Sequence, residues 1–155
     1  MSSILTDLIT NQVLISGVFG WVIAEIVKLI TNTVVTKKFD IMRLFGDGGM
    51  PSAHSSTVCS VCVACIFVCG VNSPMFALSA FVAFITMHDA MGVRQETGKQ
   101  AKLLNKMLEV SNISELFTEK KLKEFVGHTP LQVFFGGLLG IIVGLAVNFL
   151  IYNPV

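Results

Sequence analysis

Two short polar segments, each containing a histidine, are the places where this sequence could carry out chemistry. Residues 46–56 form a glycine-rich turn that holds several serines and His54 and leads directly into a long apolar run. Residues 127–133 place His128 immediately before another predicted helix. Glycine lets the backbone approach a ligand closely, and the N–H groups and dipole of a helix N-terminus favour an anion. Both segments are candidate anion sites, and both also contain the Ser, Thr or Pro residues that simply begin helices.

The chemistry that suits these segments is phosphoryl transfer. Arg43 and Arg94 lie near them in the predicted topology, and arginine presents a planar fork of donors to phosphate oxygens. One histidine could attack phosphorus while the other protonates the departing oxygen. Arginines and backbone N–H groups would neutralise the developing charge, so we expect neither a metal nor another cofactor. The neighbouring carboxylates, chiefly Asp47 and Asp89, would make a poor cage for a hard metal ion.

The elements that must position these residues are apolar helices. The 155-residue chain is 53% hydrophobic and only 14% charged, with a mean hydropathy of +0.74. Four runs, residues 13–35, 52–71, 74–91 and 131–152, approach or exceed the ~20 residues that a membrane-spanning helix needs. We therefore predict one all-α domain over residues 1–155. It is an integral membrane helical bundle with about four transmembrane helices, plus short amphipathic interfacial helices near residues 1–12 and 95–110 and a further short helix at 114–126.

The placement of basic residues predicts the orientation of this bundle. They fall almost entirely in two loops, between the first and second runs and between the third and fourth: Lys37, Lys38, Arg43, Arg94, Lys99, Lys102, Lys106, Lys120, Lys121 and Lys123. By the positive-inside rule both loops are cytoplasmic and both termini lie on the other side. Arg43, His54, Arg94 and His128 then share the cytoplasmic end. The first apolar run has no basic residue before it, so we expect an anchor rather than a cleaved signal.

Ionisable residues inside or beside the spans have two explanations each. Glu25 and Lys28 share one face of the first span, where they either form a structural pair near the membrane edge or bring Lys28 to a ligand. At the end of the third span, Asp89 and Arg94 are better placed to shape an ionic site than His88, which is expected to lie at the interface.

Small residues predict close helix packing. Cys59, Cys62, Cys65 and Cys69 follow the spacing of an iron–sulfur ligand run, but they occupy about one third of the circumference of an unbroken apolar helix. That placement favours packing over a cluster or a disulfide. Gly136, Gly140 and Gly144 form a small-xxx-small stripe. Either stripe could pack within one chain or between chains, so a homodimer is one of the expected possibilities.

The polar segments resemble the motifs of type 2 phosphatidic acid phosphatases and vanadium haloperoxidases. Residues 51–54, Pro-Ser-Ala-His, are similar to their P-S-G-H motif, and residues 127–140 are similar to their last motif, H-x3-D-V-x2-G-x3-G. Over nearly its full length the chain resembles the divergent branch of small acid phosphatase/vanadium-dependent haloperoxidase-related membrane proteins. The supporting runs are residues 48–55, 89–94, 98–105 and 127–130.

This resemblance implies a helical bundle and a phosphohistidine mechanism with a role for each matching residue. His128 would be the nucleophile and His54 the acid that protonates the leaving group. The phosphate-binding residues would be Arg43, Ser52, Ser55 and Arg94, with Lys28 or Lys38 as the lysine of the family's first motif. Gln132 stands where the family has the aspartate that orients the nucleophilic histidine.

We therefore predict a metal-independent membrane phosphatase that hydrolyses a lipid phosphate or diphosphate at the cytoplasmic face. The alternative is a catalytically weak or inactive membrane protein that binds anionic lipid or phosphate, since Gln132 is uncharged and the first motif, K-x6-R-P, has no exact match. A third class is a channel or transporter subunit that uses Glu25 and Lys28 in an oligomeric pore. The expected partners are a lipid phosphate and the bilayer, with no nucleic acid.

Overall fold

The computed structural model shows a bundle built from helices. It describes residues 2–37, 39, 49–110, 122 and 127–152, and within those ranges there are no strands. The helices are α1 (Ser2–Thr10), α2 (Gln12–Thr36), α3 (Ala53–Cys69), α4 (Pro74–Met91), α5 (Val93–Val110) and α6 (Pro130–Val147), and α6 continues as a π-helical turn over Asn148–Tyr152. The predicted all-α membrane bundle is confirmed. The short helix predicted at 114–126 falls largely outside the described residues.

Three parts of the described chain are long and apolar enough to cross a membrane. They are α2, the α4–α5 stretch Pro74–Leu108, and α6 with its π-helical turn. The predicted second span is shorter than expected, because Ser52 caps its start and Gly70, at a φ of 83°, ends it. The resulting 17 residues of α3 span about 25 Å at 1.5 Å per residue.

The short helix α3 is the centre of the bundle. It packs against α2, α4 and α6, and α6 also packs against α2. Its side chains facing these neighbours are small, among them Ser56, Ser60, Ala64 and Cys65, all of which are buried. Small side chains let helix backbones approach closely in a membrane, where burial of apolar surface does not itself drive association.

The contact between α3 and α6 is a direct approach of one backbone to the other. Its two sides are a serine stripe on α3 and a glycine stripe on α6: Ser52, Ser56 and Ser60, and Gly136, Gly140 and Gly144. A Cβ at Gly136 or Gly140 would collide with the carbonyl oxygen of the facing serine, and one at Gly144 would lie 3.0 Å from the Ser60 carbonyl oxygen. The predicted packing role of the glycine stripe is confirmed, and the contact lies within one chain.

The hydroxyls of the same serines hold α2. Ser56 Oγ donates to the Gly20 carbonyl at 2.7 Å, and Ser60 Oγ donates to the Ser16 carbonyl at 2.5 Å. Both serines are fully buried. Each therefore contacts α6 through its backbone and α2 through its side chain, so this part of α3 joins three helices.

A buried amide closes the far end of this three-helix contact. Asn148, fully buried, donates to the Gly144 carbonyl at 2.6 Å and to Ser16 Oγ at 3.4 Å, and its Oδ1 accepts a hydrogen bond from Gln12 Nε2. These bonds link the start of α2 to the end of α6. An amide in an apolar bundle is tolerated there because its donors and its acceptor are used.

The four cysteines are free thiols along α3. Cys65 is buried, Cys69 is exposed, and the half-buried Cys59 lies with its Sγ 3.7 Å from the Met87 Sδ of α4. The Cys59 contact agrees with the predicted role of these residues as small packing groups.

Gly140→Ala is expected to destabilise the bundle by about 1–3 kcal/mol, the usual cost of overpacking a well-packed core. Its methyl group would meet the Ser56 carbonyl oxygen, a backbone atom that cannot rotate away. Gly137→Ala on the same helix is the matched control, because its methyl group would meet the flexible end of Met87 at 3.3 Å. The unfolding midpoint in detergent should fall for Gly140→Ala only. Equal midpoints for the two variants would contradict this packing.

Candidate active site

One end of the bundle, which we call the site end, gathers the starts of α3 and α6 and the ends of α2 and α4. The Ser52 N–H donates to the Gln132 carbonyl at 3.1 Å and so joins the starts of α3 and α6. The His128 N–H donates to the Ala90 carbonyl at 3.0 Å and so joins the segment before α6 to the end of α4. Thr31 Oγ1, on α2, donates to the Met50 carbonyl at 2.6 Å. The two polar segments singled out in the sequence therefore lie together.

The start of α3 is stabilised by the two serines that flank His54. Ser52 is the N-cap: its Oγ accepts from the Ser55 N–H at 3.3 Å and from Ser55 Oγ at 3.0 Å. Both side chains are fully buried. The two hydroxyls therefore form hydrogen bonds that cap the start of α3, as the capping explanation of this segment predicts. Contact of Ser52 and Ser55 with phosphate stays a prediction.

His54 and His128 face each other across the site end. Their ring centroids are 6.1 Å apart and their planes meet edge to face at 76°. His54 is exposed in the first turn of α3, whereas His128 is only 6% exposed. A nucleophile approaches its target atom to ~3–3.5 Å, and a proton donor contacts its acceptor at ~2.6–3.2 Å. Rings at this separation can contact one phosphoryl group from two sides.

The residue before His128 must be glycine because α5 begins directly against it. Gly127 has a φ of 97°, and a Cβ there would lie 2.6 Å from the Gln95 nitrogen and 2.8 Å from the Arg94 carbonyl carbon. This close approach brings the backbone of Arg94 beside the segment that carries His128. The resemblance assigns phosphate binding to Arg94, and the backbone of this residue lies against Gly127, the neighbour of His128.

Arg94 also forms the predicted ionic contact with Asp89. Its Nε lies 3.1 Å from Asp89 Oδ2, and the two side chains are 44% and 41% exposed. Ion pairs at this exposure contribute little to stability. The guanidinium can therefore exchange the carboxylate for a phosphate at small cost. His88, by contrast, is exposed and stacks on Phe84 of the same helix, with ring centroids 6.2 Å apart.

Glu25 and Lys28 form a buried ion pair beneath the start of α3. Lys28 Nζ lies 2.6 Å from Glu25 Oε2, and the side chains are 8% and 11% exposed for the lysine and the glutamate. The stem of Lys28 lies against Gly49, where a Cβ would be 3.0 Å from its Cγ. The predicted sharing of one helix face is confirmed. Lys28 supports the segment that leads to His54, and its contact with phosphate stays a prediction.

Gln132 occupies the capping box that its position predicts. Its Oε1 accepts from the Thr129 N–H at 3.0 Å, and Thr129 Oγ1 accepts from the Gln132 N–H at 3.4 Å. The side chain that replaces the family's aspartate is therefore engaged with the start of α6. Orientation of the His128 ring by Gln132 is not seen in these bonds and stays a prediction.

Asn105 holds the backbone of Leu122, a contact that the sequence alone does not predict. Asn105 is 5% exposed; its Nδ2 donates to the Leu122 carbonyl at 2.9 Å and its Oδ1 accepts from the Leu122 N–H at 3.0 Å. This double contact anchors the chain shortly before Gly127. A signal was present: Gly98, Ala101 and Asn105 recur at helical spacing and form the buried face of α5.

Three residues with predicted or possible roles lie outside the described part of the chain. They are Arg43 and Lys38, assigned to phosphate binding, and Asp47 in the glycine-rich turn. Their roles stay predictions.

The fold and the site together define a class of protein. It is an all-helical membrane bundle in which two histidines lie close together at the starts of two helices. The chain belongs to the Divergent PAP2 family, whose model matches residues 9–143 and so includes both histidine segments. It is also 36% identical over 154 residues to the uncharacterized membrane protein YuiD of Bacillus subtilis (strain 168), across 92% of this chain and 98% of that protein. No solved structure matches the chain significantly. The resemblance predicted from the motifs is confirmed.

Proposed function

We propose that this protein is a metal-independent phosphatase that hydrolyses a lipid phosphate or diphosphate through a phosphohistidine on His128. The observation that supports it most is the facing pair of His54 and His128, with ring centroids 6.1 Å apart at the site end. Membership of a PAP2-related family agrees with this proposal. Two imidazoles at this separation supply a nucleophile and a proton donor for one phosphoryl group.

The proposed reaction has two steps. A ring nitrogen of His128 attacks phosphorus, the bond from phosphorus to the ester oxygen breaks, and His54 gives that oxygen a proton. Water then attacks the phosphohistidine, His54 takes its proton, and inorganic phosphate leaves. Arg94 and the N–H groups at the start of α3 stabilise the charge on the phosphoryl oxygens in both steps.

A lipid is the proposed substrate because the site lies at the end of membrane-spanning helices. Lys102 and Lys106 are exposed on α5, which runs on from the site end. Cations near a membrane surface attract anionic headgroups. We further propose that this end faces the cytoplasm, as the distribution of basic residues predicts.

One observation favours a second candidate function, the binding of anionic lipid or phosphate without turnover. The Gln132 Oε1 accepts a hydrogen bond from the Thr129 N–H, and an uncharged amide stabilises an imidazolium poorly. With an uncharged Gln132 in the place of the family's aspartate, His128 would be a weaker nucleophile, and the same groups would still hold phosphate.

Phosphate release from a panel of lipid phosphates separates the two functions. Purified wild-type protein is expected to release phosphate from phosphatidate, phosphatidylglycerophosphate or an isoprenoid diphosphate, and His128→Ala and His54→Ala are expected to lose that release. His88→Ala is the matched control, because His88 is exposed and stacks on Phe84. Equal release by all the proteins would end the histidine mechanism. Binding of the same lipids by a wild-type protein that releases nothing would favour the second function.

A further inference from the structure

An open apolar groove runs along the outside of the bundle between α2 and α3. Its volume is about 670 Å³, within the ~300–1,000 Å³ of most ligand sites. The walls include Gly17, Val18 and Trp21 of α2 and Val61, Cys65 and Val68 of α3. In a bilayer this flank of the protein meets lipid chains.

Two polar side chains of the groove, Asn11 and Thr57, already form hydrogen bonds with their own helices. Asn11 Oδ1 accepts from the Leu14 N–H at 3.0 Å, where it caps the start of α2. Thr57 Oγ1 donates to the Ala53 carbonyl at 2.8 Å. Apart from the indole N–H of Trp21, the remaining lining is hydrocarbon and sulfur, so the groove suits a hydrocarbon chain rather than a polar ligand.

The α3 wall of the groove leads to His54. Thr57, Val61, Cys65 and Val68 follow His54 at the intervals that place residues on one face of a helix. From His54 to Val68 the helix rises about 21 Å at 1.5 Å per residue. This is more than half of the ~30 Å hydrocarbon core of a bilayer. A chain lying in the groove would therefore be long, and its head would lie at the histidine.

We propose that this groove binds one hydrocarbon chain of the phosphorylated lipid whose phosphate lies at His54. The identity of the headgroup rests on the proposed function. The groove is a single trough between two helices, so it takes one chain, and the second chain of a two-chain lipid would lie in the surrounding bilayer. The length of the groove favours a long chain over a short one.

Trp21, the one tryptophan in the chain, makes the proposal measurable without enzymatic turnover. The probe is a long-chain alkyl phosphonate, which cannot be hydrolysed, brominated along its chain and added at low mole fraction to protein in nanodiscs. Bromine quenches tryptophan fluorescence on contact. We expect saturable quenching by the phosphonate, displacement by its unbrominated analogue, and weaker quenching by a brominated alcohol with the same chain.

Two matched valine variants locate the binding to the groove. Val68→Phe fills the end of the groove that lies far from His54. It is expected to weaken binding of the long-chain phosphonate by about tenfold or more. Val82→Phe makes the same change on α4 at similar exposure, 47% against 50% for Val68, and is expected to bind as wild type. A short-chain phosphonate should bind both variants equally.

Each contrary result overturns the proposal. Equal quenching by the alcohol and the phosphonate would mean that bulk lipid fills the groove. No quenching by either would mean that protein, such as a second copy of the chain, covers it. Equal affinity of Val68→Phe and Val82→Phe would place the chain elsewhere. Hydrolysis of a water-soluble phosphomonoester tests the proposed function separately, so the two failures are distinguishable.

Discussion

His54→Ala protein is expected to form the phosphohistidine from an alkyl phosphate about 10²–10⁴-fold more slowly than wild type, yet to form it from a nitrophenyl phosphate with a kcat/KM close to wild type. The kcat falls for both substrates, because His54 also takes the proton of the attacking water. An alkoxide leaves only with a proton, which His54 supplies in the proposed mechanism. A nitrophenolate leaves without one. The measurement is the ratio of kcat/KM values for the two substrates in detergent.

His128→Ala is the companion variant, because the nucleophile is needed for every leaving group. It is expected to lose both reactions, while His88→Ala keeps both. A phosphoprotein that is stable in base and labile in acid should form in the other proteins and be absent from His128→Ala. If His54→Ala lowered kcat/KM equally for the two substrates, His54 would bind phosphate rather than donate a proton, and the assigned roles would be wrong.

Glu25→Gln is expected to destabilise the protein by about 3–5 kcal/mol, the usual cost of removing one charge of a buried ion pair. The pair has a 2.6 Å separation and both side chains are almost fully covered. Lys28→Met should cost a similar amount of stability, because it removes the positive charge that lies 2.6 Å from the buried Glu25 carboxylate. The measurement is the free energy of unfolding in detergent. A loss below about 1 kcal/mol, as for exposed pairs, would contradict the burial of this one.

The double variant Glu25→Gln/Lys28→Met separates a structural role from a ligand-binding role. Replacing both charges by groups of similar volume is often close to neutral for stability, so most of the loss should be recovered. If Lys28 also contacts phosphate, the stable double variant will bind the long-chain phosphonate more weakly than wild type. Unchanged binding would show that the pair only supports the segment before His54.

The helices were predictable because their signals are local. The sequence predicts the third apolar run at residues 74–91, and α4 spans Pro74–Met91 because Ser73 caps it and Pro74 occupies its first position. The capping box of Thr129 and Gln132 follows from the same kind of signal. The end of α3 at Cys69, by contrast, depends on the positive φ of Gly70, which hydrophobicity does not reveal.

The contacts that assemble the site were less predictable because they join distant residues. The sequence predicts the glycine stripe but not its partners on α3, although Ser52, Ser56 and Ser60 repeat the same four-residue spacing. The partner of Asn105 is the backbone of Leu122, and no side-chain pattern at Leu122 marks such a contact. The resemblance of the motifs predicts that His54 and His128 belong to one site. Their separation and relative angle come from the packed helices alone.

The meeting of the serine and glycine stripes has a consequence for motion. A one-residue screw motion of α6, a slide of about 1.5 Å with a turn of about 100°, would set Leu139 or Ile141 against the Ser56 carbonyl in place of Gly140. Such a turn of α6 about its axis is therefore blocked by collision, because only the glycine face fits against the serine backbone. His54 follows Ser52 closely, and His128 lies just before α6. The histidine rings are thus held at one separation by a register that extends to the opposite end of the bundle.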